Sequence, residues 1–257
     1  MDDGSLVLGV DIGGTGIKGA LIDIEKGTFE TERFRLDTPQ PSTPEAVAET
    51  LKKVIEHFNW TGMVGIGFPA IVRHDVAHSA ANIHKDWKGL HLTEFFNQHI
   101  DLPLTVINDA DAAGIAAMKF GAGKNHKGVV VFLTIGTGIG SALFLDGKLI
   151  PNSEFGHLYF KKKIAEKFIS KQARKSDIEA EEWGKNWNKY LKYLERIISP
   201  DLVILGGGGG KRFDEIKPYL TVEMEVIPSE LQNNAGIIGA ALYAKETLSQ
   251  VKADTPS

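Results

Sequence analysis

The stretch Gly9–Gly19, GVDIGGTGIKG, constrains this chain more than any other. Leu6–Ile12 is an apolar, β-branched run that carries Asp11 near its end, and Ile17–Ile24 is again apolar and β-like. Between them Gly13, Gly14 and Gly16 allow a sharp reversal of the backbone. The pattern is strand, glycine turn, strand. Such a turn points backbone N–H groups at an anion, and Thr15 adds a hydroxyl donor. Asp11 is a candidate to hold a metal ion, directly or through water. The same design returns at Val129–Phe144, where VVVFLTI, a GTGIG turn and SALFL follow one another. Two glycine turns, each between two strands, imply two halves facing one phosphate-bearing ligand.

Competing motifs fail on context. Gly14-Thr-Gly-Ile-Lys-Gly19 spells G-x-G-x-x-G, but the dinucleotide fingerprint needs a helix after its glycines. Here a β-branched run leads instead to a turn at Lys26-Gly27. The Walker A pattern occurs nowhere. The 257 residues, 42% of them hydrophobic, suffice for one large domain or two smaller ones. A net charge of −4 gives no global signal for nucleic acid. The absence of cysteine excludes disulfides and thiolate metal sites. MDDGSLVLGV lacks the basic start of a signal peptide, and no apolar stretch reaches the length of a membrane span, so a cytoplasmic protein is expected.

Thr28–Leu36 alternates as a third strand. Thr43 and Pro44 then open a helix with Val47, Leu51, Val54, Ile55 and Phe58 on one face. Met63–Val72 is a strand broken by Pro69. The loop after it holds Asn82, Lys85, Asp86 and Trp87 close together. Asn82 suits sugar hydroxyls, and Trp87 either walls a site or packs beneath a surface loop. Leu104–Ile107 is a strand that runs into Asn108, Asp109 and Asp111 and then a helix over Ala112–Phe120. Asp109 reads either as the helix cap or as a base positioned at a strand end. Glu154 and His157, in N-S-E-F-G-H, are placed to grip two hydroxyls of a polyol.

Lys161–Lys175 carries seven basic residues against one acid, Glu166. Such a run is a solvated helix face or an electrostatic track for a long polyanion. Glu179–Ser199 is strongly amphipathic, with Trp183, Trp187, Leu191, Leu194, Ile197 and Ile198 in register as core or subunit interface. Asp201–Leu205 is a strand followed by five glycines, Gly206–Gly210, where a backbone can approach a phosphorylated ligand. Val222–Ile227 is a strand, and a helix rich in small residues opens near Asn233.

The order of these stretches resembles the sugar kinase, heat-shock ATPase and actin superfamily, and within it the ROK family (repressors, open reading frames, kinases). Gly65–Ala70, Asn82–Trp87, Gly136–Ala142, Pro151–Leu158, Ser199–Gly208 and Asn233–Ala241 look like the branch of that family whose glucokinases use polyphosphate. The resemblance implies an α/β, two-lobed actin-like ATPase fold of the ribonuclease H-like type, with the ligand cleft between the lobes. It places residues 1–109 and 235–250 in the N-terminal lobe, 110–234 in the C-terminal lobe, and 251–257 in a disordered tail.

It further implies that Asp109 takes the proton from the 6-hydroxyl of glucose as that oxygen attacks a terminal phosphoryl group. Asp11 would hold Mg²⁺ through water. Gly13, Gly14, Thr15, Lys18, Gly136, Thr137, Gly138, Gly207 and Gly208 would meet the phosphates, although Lys18 equally suits a solvated strand position. Asn82, Asn108, Asp109, Glu154 and His157 would hold the sugar. The donor would be inorganic polyphosphate, with ATP possible, and Lys161, Lys162 and Lys163 would form a polyphosphate track. Most ROK kinases carry a cysteine-rich zinc motif after the E-x-G-H histidine, but this chain has no cysteine and so no such zinc site. The glutamate that follows those cysteines then lacks a counterpart. The enzyme is expected to be a homodimer. The alternatives are an ATP-dependent hexokinase acting on glucose, mannose or glucosamine, and a sugar-responsive regulator. The regulator needs a DNA-binding helix pair, and a first strand beginning near Leu6 leaves no room for one.

Overall fold

The computed structural model describes residues 5–80, 83–160, 162–175 and 178–254. It divides into two compact units, Met1–Ala116 with Asn234–Ser257, and Ala117–Asn233. The first division falls inside a helix, after Ala116, not at the strand end where Asp109 begins that helix.

The first unit is built on β1 (Leu6–Ile12), β2 (Gly16–Asp23), β3 (Thr28–Phe29), β4 (Phe34–Asp37), β5 (Val64–Phe68), β6 (Val72–Arg73), β7 (Val76–Ala77) and β8 (Leu104–Asn108). Its main sheet runs β3-β2-β1-β5-β8, with β4 also on β2. The expected strand Thr28–Leu36 is thus two short pieces, both antiparallel to β2. β1, β5 and β8 are parallel, and β5 and β8 are buried at every position. That fits their near-continuous apolar sequence.

Helix α1 (Pro44–His57) starts where Thr43 accepts the Ala46 N–H, with Pro44 in the first turn. It buries Val47, Leu51, Val54 and Ile55. After α2 (Leu92–Asn97) and β8 comes α3 (Asp109–Phe120). The C-terminal helix, Ala235–Asp254, returns to this unit and packs on β1, β5 and β8. It continues to Asp254, into the stretch 251–257 expected to be a disordered tail, of which 255–257 lie outside the described residues. Its approach is close enough that a Cβ on Gly65 would collide with the Ala240 carbonyl, and one on Gly239 with that of Ala112.

The second unit contains β9 (Val129–Ile135), β10 (Ile139–Leu145), β11 (Lys148–Ile150), β12 (Tyr159–Phe160), β13 (Lys163–Ile164), α4 (Glu166–Ile169), α5 (Lys171–Lys175), α6 (Ala180–Ile198), β14 (Leu202–Gly206), α7 (Gly207–Gly210), α8 (Phe213–Ile216) and β15 (Glu225–Pro228). Its sheet runs β11-β10-β9-β14-β15. The antiparallel hairpin β9–β10 is followed by parallel β14 and β15, as β1–β2 is followed by β5 and β8.

The apolar face of α6 settles into this unit's core. Trp183, Trp187, Tyr190, Leu191 and Leu194 are fully buried, while Tyr193 and Ile197 are exposed. Among the described residues no helix is long and apolar enough to cross a membrane.

Candidate active site

In the first unit the carboxyl ends of three parallel strands come level. Asp11 pairs in register with Gly67, Gly67 with Ile107, and Phe68 with Asn108. Ligands of open α/β sheets bind at this edge of the strands. A Cβ on Gly67 would lie 3.6 Å from Val10 O and 3.7 Å from Asp109 Cα, so the strand carrying Asp11 and the start of α3 approach closely there.

The helix cap falls to Asn108 rather than Asp109. Asn108 Oδ1 accepts from the N–H groups of Ala110 (2.9 Å) and Asp111 (3.0 Å), and its Nδ2 donates to Ala70 O at 2.9 Å. Three of the four hydrogen bonds available to that amide are therefore used inside the protein. Asp109 is half-buried, and its Oδ1 lies 2.8 Å from Ala110 N, sharing that N–H with Asn108. Asn82 lies outside the described residues. Trp87 is core. It is 0% exposed, packs on Phe68, Phe95 and Phe96, and donates from Nε1 to Ser42 O at 2.9 Å. The reading of Trp87 as a wall of the site is therefore corrected.

The first glycine turn is tied back by its carbonyls. Gly13 N–H closes the hairpin on Gly16 O at 3.0 Å. Gly13 O accepts from Thr38 Oγ1, Gly14 O from Gln40 Nε2 and Thr15 O from Arg35 Nη2. Thr15 is exposed at the tip. Holding carbonyls with side-chain donors removes the oxygens that would repel an anion. The sequence reading missed these three donors, because their partners lie 20 or more residues away.

Lys18 is half-buried. It stands opposite Asp11 across β1–β2, with Nζ 3.2 Å from Oδ2. The other carboxylate oxygen faces the start of the C-terminal helix, where a Cβ on Gly236 would lie 3.5 Å from it.

In the second unit Gly136 N–H donates to Gly138 O at 2.9 Å, and Thr137 is exposed. Gly206 pairs in register with Thr134. Gly207 has a φ of +71°, and a Cβ there would lie 2.9 Å from Ile135 N. This left-handed, crowded position requires glycine. The helical turn forms from Gly207–Gly210 themselves and lies against the end of β9, just before the second glycine turn.

Glu154 and His157 come together in the same unit. His157 Nδ1 lies 3.0 Å from Glu154 Oε2, and its Nε2 lies 4.0 Å from Glu166 Oε2. Ser141 Oγ donates to Ser153 O at 2.6 Å and accepts from Phe155 N–H, and Tyr190 Oη donates to Phe155 O, so the loop is pinned to β10 and α6. Burial pushes the Glu154 carboxyl above the ordinary glutamate range, opposed by His157 and assisted by Glu166.

Glu166 is a residue the sequence reading left inside a basic run. Its Oε2 accepts from Ile139 N–H at 3.4 Å and leaves no room for a Cβ on Gly138. It joins the Glu154–His157 pair to the second glycine turn. No spacing rule could have found it, since it depends on how α4 folds back over β10. Lys161 lies outside the described residues. Lys162 sits exposed in a turn, and Lys163 is exposed on β13.

The comparisons with known proteins agree with this architecture. The ROK family profile matches residues 7–163. The chain is 44% identical over 236 residues to polyphosphate glucokinase of Mycobacterium tuberculosis (strain CDC 1551 / Oshkosh), covering 91% of this chain and 89% of that one. The crystal structure of inorganic polyphosphate/ATP-glucomannokinase from Arthrobacter sp. strain KM superposes with a TM-score of 0.90 and 43% identity, over 95% of this chain and 99% of that one. A ROK family glucokinase from Streptomyces griseus, in complex with glucose and AMPPNP, gives a TM-score of 0.80 and 25% identity, over 94% and 99%. The fold is the two-lobed actin-like ATPase fold of these sugar kinases. On the profile match and the long, 44% identical relative alike, the chain belongs to the ROK family.

Proposed function

We propose that the chain is a glucokinase that moves the terminal phosphoryl group of inorganic polyphosphate, or of ATP, to the 6-hydroxyl of glucose. The observation that carries this reading is Asp109, a half-buried carboxylate at the carboxyl edge of three parallel strands, which shares the Ala110 N–H with Asn108 while Asn108 alone takes that of Asp111. The relatives support the donor, since one is a polyphosphate glucokinase and another a polyphosphate/ATP-glucomannokinase.

Asp109 accepts the proton of the 6-hydroxyl as its oxygen attacks the terminal phosphorus. The new O–P bond forms while the bond to the leaving phosphate breaks, which shortens the polyphosphate by one unit or releases ADP. Such transfer is mostly positioning and electrostatic stabilisation. The Gly13 and Gly136 N–H groups close their turns, and the N–H groups that follow them, of Gly14, Thr15, Thr137 and Gly138, hold phosphate oxygens together with those of Gly207 and Gly208. Glu154, His157 and Asn108 hold the sugar, together with Asn82. Glu166, 4.0 Å from His157, takes the place of the glutamate that zinc-binding relatives carry after their cysteines.

Asp11 suits Mg²⁺ bound through water, because this ion takes one or two carboxylates and otherwise prefers water and substrate phosphates. The ion would supply charge neutralisation to the donor phosphates, and Lys18, 3.2 Å from Oδ2, holds the Asp11 carboxylate in place. The reaction takes place in the cytoplasm in this reading, and a chain without cysteine carries nothing that calls for an oxidising compartment. The chain works as a homodimer, with the exposed Tyr193 and Ile197 of α6 as the apolar surface available for it. Light scattering on the purified protein tests that state.

The deciding experiment supplies glucose and Mg²⁺ with either ATP or long-chain polyphosphate and follows glucose 6-phosphate. Turnover with polyphosphate well above ATP is expected. Turnover with ATP alone would leave an ATP-dependent hexokinase. Mannose is the second acceptor to try, because the Arthrobacter relative is a glucomannokinase.

A further inference from the structure

The basic run Lys161–Lys175 is not uniform once folded. Lys162 and Lys163 are exposed. Lys167 Nζ lies 3.7 Å from Glu166, and Arg174 is held by Glu215 and by Ile178 O. Lys171 differs from all of them. It is half-buried, and among the described residues no carboxylate lies within ion-pair distance of it. Its backbone N–H donates to Gly136 O at 3.0 Å, which fixes the start of α5 on the second glycine turn. Its ammonium lies beside the other glycine segment, since a Cβ on Gly208 would be 3.5 Å from Nζ.

These two segments touch each other, as the register of Gly206 with Thr134 requires. A cavity of about 180 Å³ reaches the second glycine turn at Thr137 and is lined further by Glu166, Lys167, Ser170 and Gln172, with Lys171 outside its lining. A cation withdrawn from water without a counter-ion is unfavourable, and an anion delivered by a ligand removes the penalty.

We propose that Lys171 is a donor-binding residue whose ammonium contacts a phosphate group of polyphosphate or ATP held at the Gly136–Gly138 turn. The proposal rests on the phosphoryl-transfer reading above and adds a residue to it. Lys171 recognises the phosphate common to both donors, whereas the exposed Lys162 and Lys163 can meet only a chain that extends outward.

The test measures tripolyphosphate binding by titration calorimetry, which needs no turnover, together with KM for ATP, polyphosphate and glucose. Lys171→Met should weaken tripolyphosphate about tenfold, the loss of one charged hydrogen bond, and raise both donor KM values by a similar factor. Its glucose KM and melting temperature should stay at the wild-type values, and Lys171→Arg should recover most of the donor affinity. Lys148→Met, at an exposed lysine of β11, should leave tripolyphosphate binding unchanged. Unaltered tripolyphosphate affinity in Lys171→Met, or a wild-type protein that binds no tripolyphosphate, overturns the proposal. A wild-type protein that binds tripolyphosphate yet phosphorylates no sugar overturns the functional reading instead, and the calorimetry still decides Lys171.

Discussion

The two units build the same hairpin and then differ at one register position. In the first, Asp11 faces Lys18 across β1–β2, one pair before the strands meet the turn. In the second, the corresponding pair is Thr134 and Gly140. One hairpin therefore carries a paired carboxylate and ammonium beside its glycines, and the other is stripped to backbone and a hydroxyl. The strand ends differ in the same sense. β8 runs into Asn108 and Asp109, while β14 runs into Gly207–Gly210. A duplicated scaffold has kept its sheet order and divided its chemistry, with ionisable groups in one unit's strand ends and bare peptide in the other's. Each turn still has its carbonyls held from behind, by Arg35, Thr38 and Gln40 in the first and by the Lys171 N–H in the second.

This comparison can be broken most forcefully at Asp109. Asp109→Asn should lower kcat by about 10³-fold or more, while fold and glucose affinity persist. Turnover close to wild type would remove the division of labour altogether. Next in size is a stability effect confined to the first unit. Gly65→Val drives a side chain into the Ala240 carbonyl, which is backbone and cannot swing away, so a loss of about 3 kcal/mol is expected by urea unfolding.

Gly136→Ala is the counterpart in the second unit and should behave oppositely. The nearest atom to its added methyl is Gly138 O at 3.9 Å, so stability should hold within about 0.5 kcal/mol. The methyl would nonetheless enter the phosphate cradle, and donor KM should rise about tenfold. A Gly136→Ala enzyme with wild-type donor KM would deny that turn its role.

The smallest effect sharpens the electrostatics of the second unit. Burial raises the Glu154 pKa, so its proton binds more readily in the folded chain than in the unfolded one. The cost of the buried carboxylate is absent at low pH and appears as pH rises through the folded pKa. Glu154→Gln should accordingly melt slightly higher than wild type at neutral pH. The difference should vanish below the ordinary glutamate value, and a melting-temperature series against pH reads it directly. The same variant should lose glucose affinity at every pH. In the wild type, glucose affinity should fall on acidification before an ordinary glutamate would titrate.

The hairpins, their glycine turns and the Asp109 strand end were legible because each is a local pattern of apolar runs and turn residues. Trp87 was ambiguous because an aromatic in a polar loop looks alike whether it lines a site or fills a core. Only the packing of Phe68, Phe95 and Phe96 around it decides. Asp109 reads as cap or base in sequence, and the hydrogen bonds decide, since Asn108 accepts from both Ala110 and Asp111 while Asp109 shares only the Ala110 N–H. Glu166 and Lys171 lay hidden in a run of like charges. Their partners Ile139, Gly136 and Gly208 come from strands and turns 27 or more residues away, a distance that no periodicity reports.

The return of the helix Ala235–Asp254 to the first unit sets the order in which a ribosome can deliver a finished molecule. The second unit is one uninterrupted segment, Ala117–Asn233, and has everything it needs as soon as it emerges. The first unit must wait. Its β1 and β5 present glycine surfaces shaped for a helix that is translated only after the whole intervening segment. At about 5–20 residues per second the segment between β8 and that helix takes about 6–25 seconds to make, during which that face stays uncovered. The nascent chain is therefore open to misassociation at β1 and β5 throughout that interval. A holdase that covers apolar β-sheet, or slower translation ahead of Asn234, would bear on yield through β1 and β5 rather than through the segment being made at that moment.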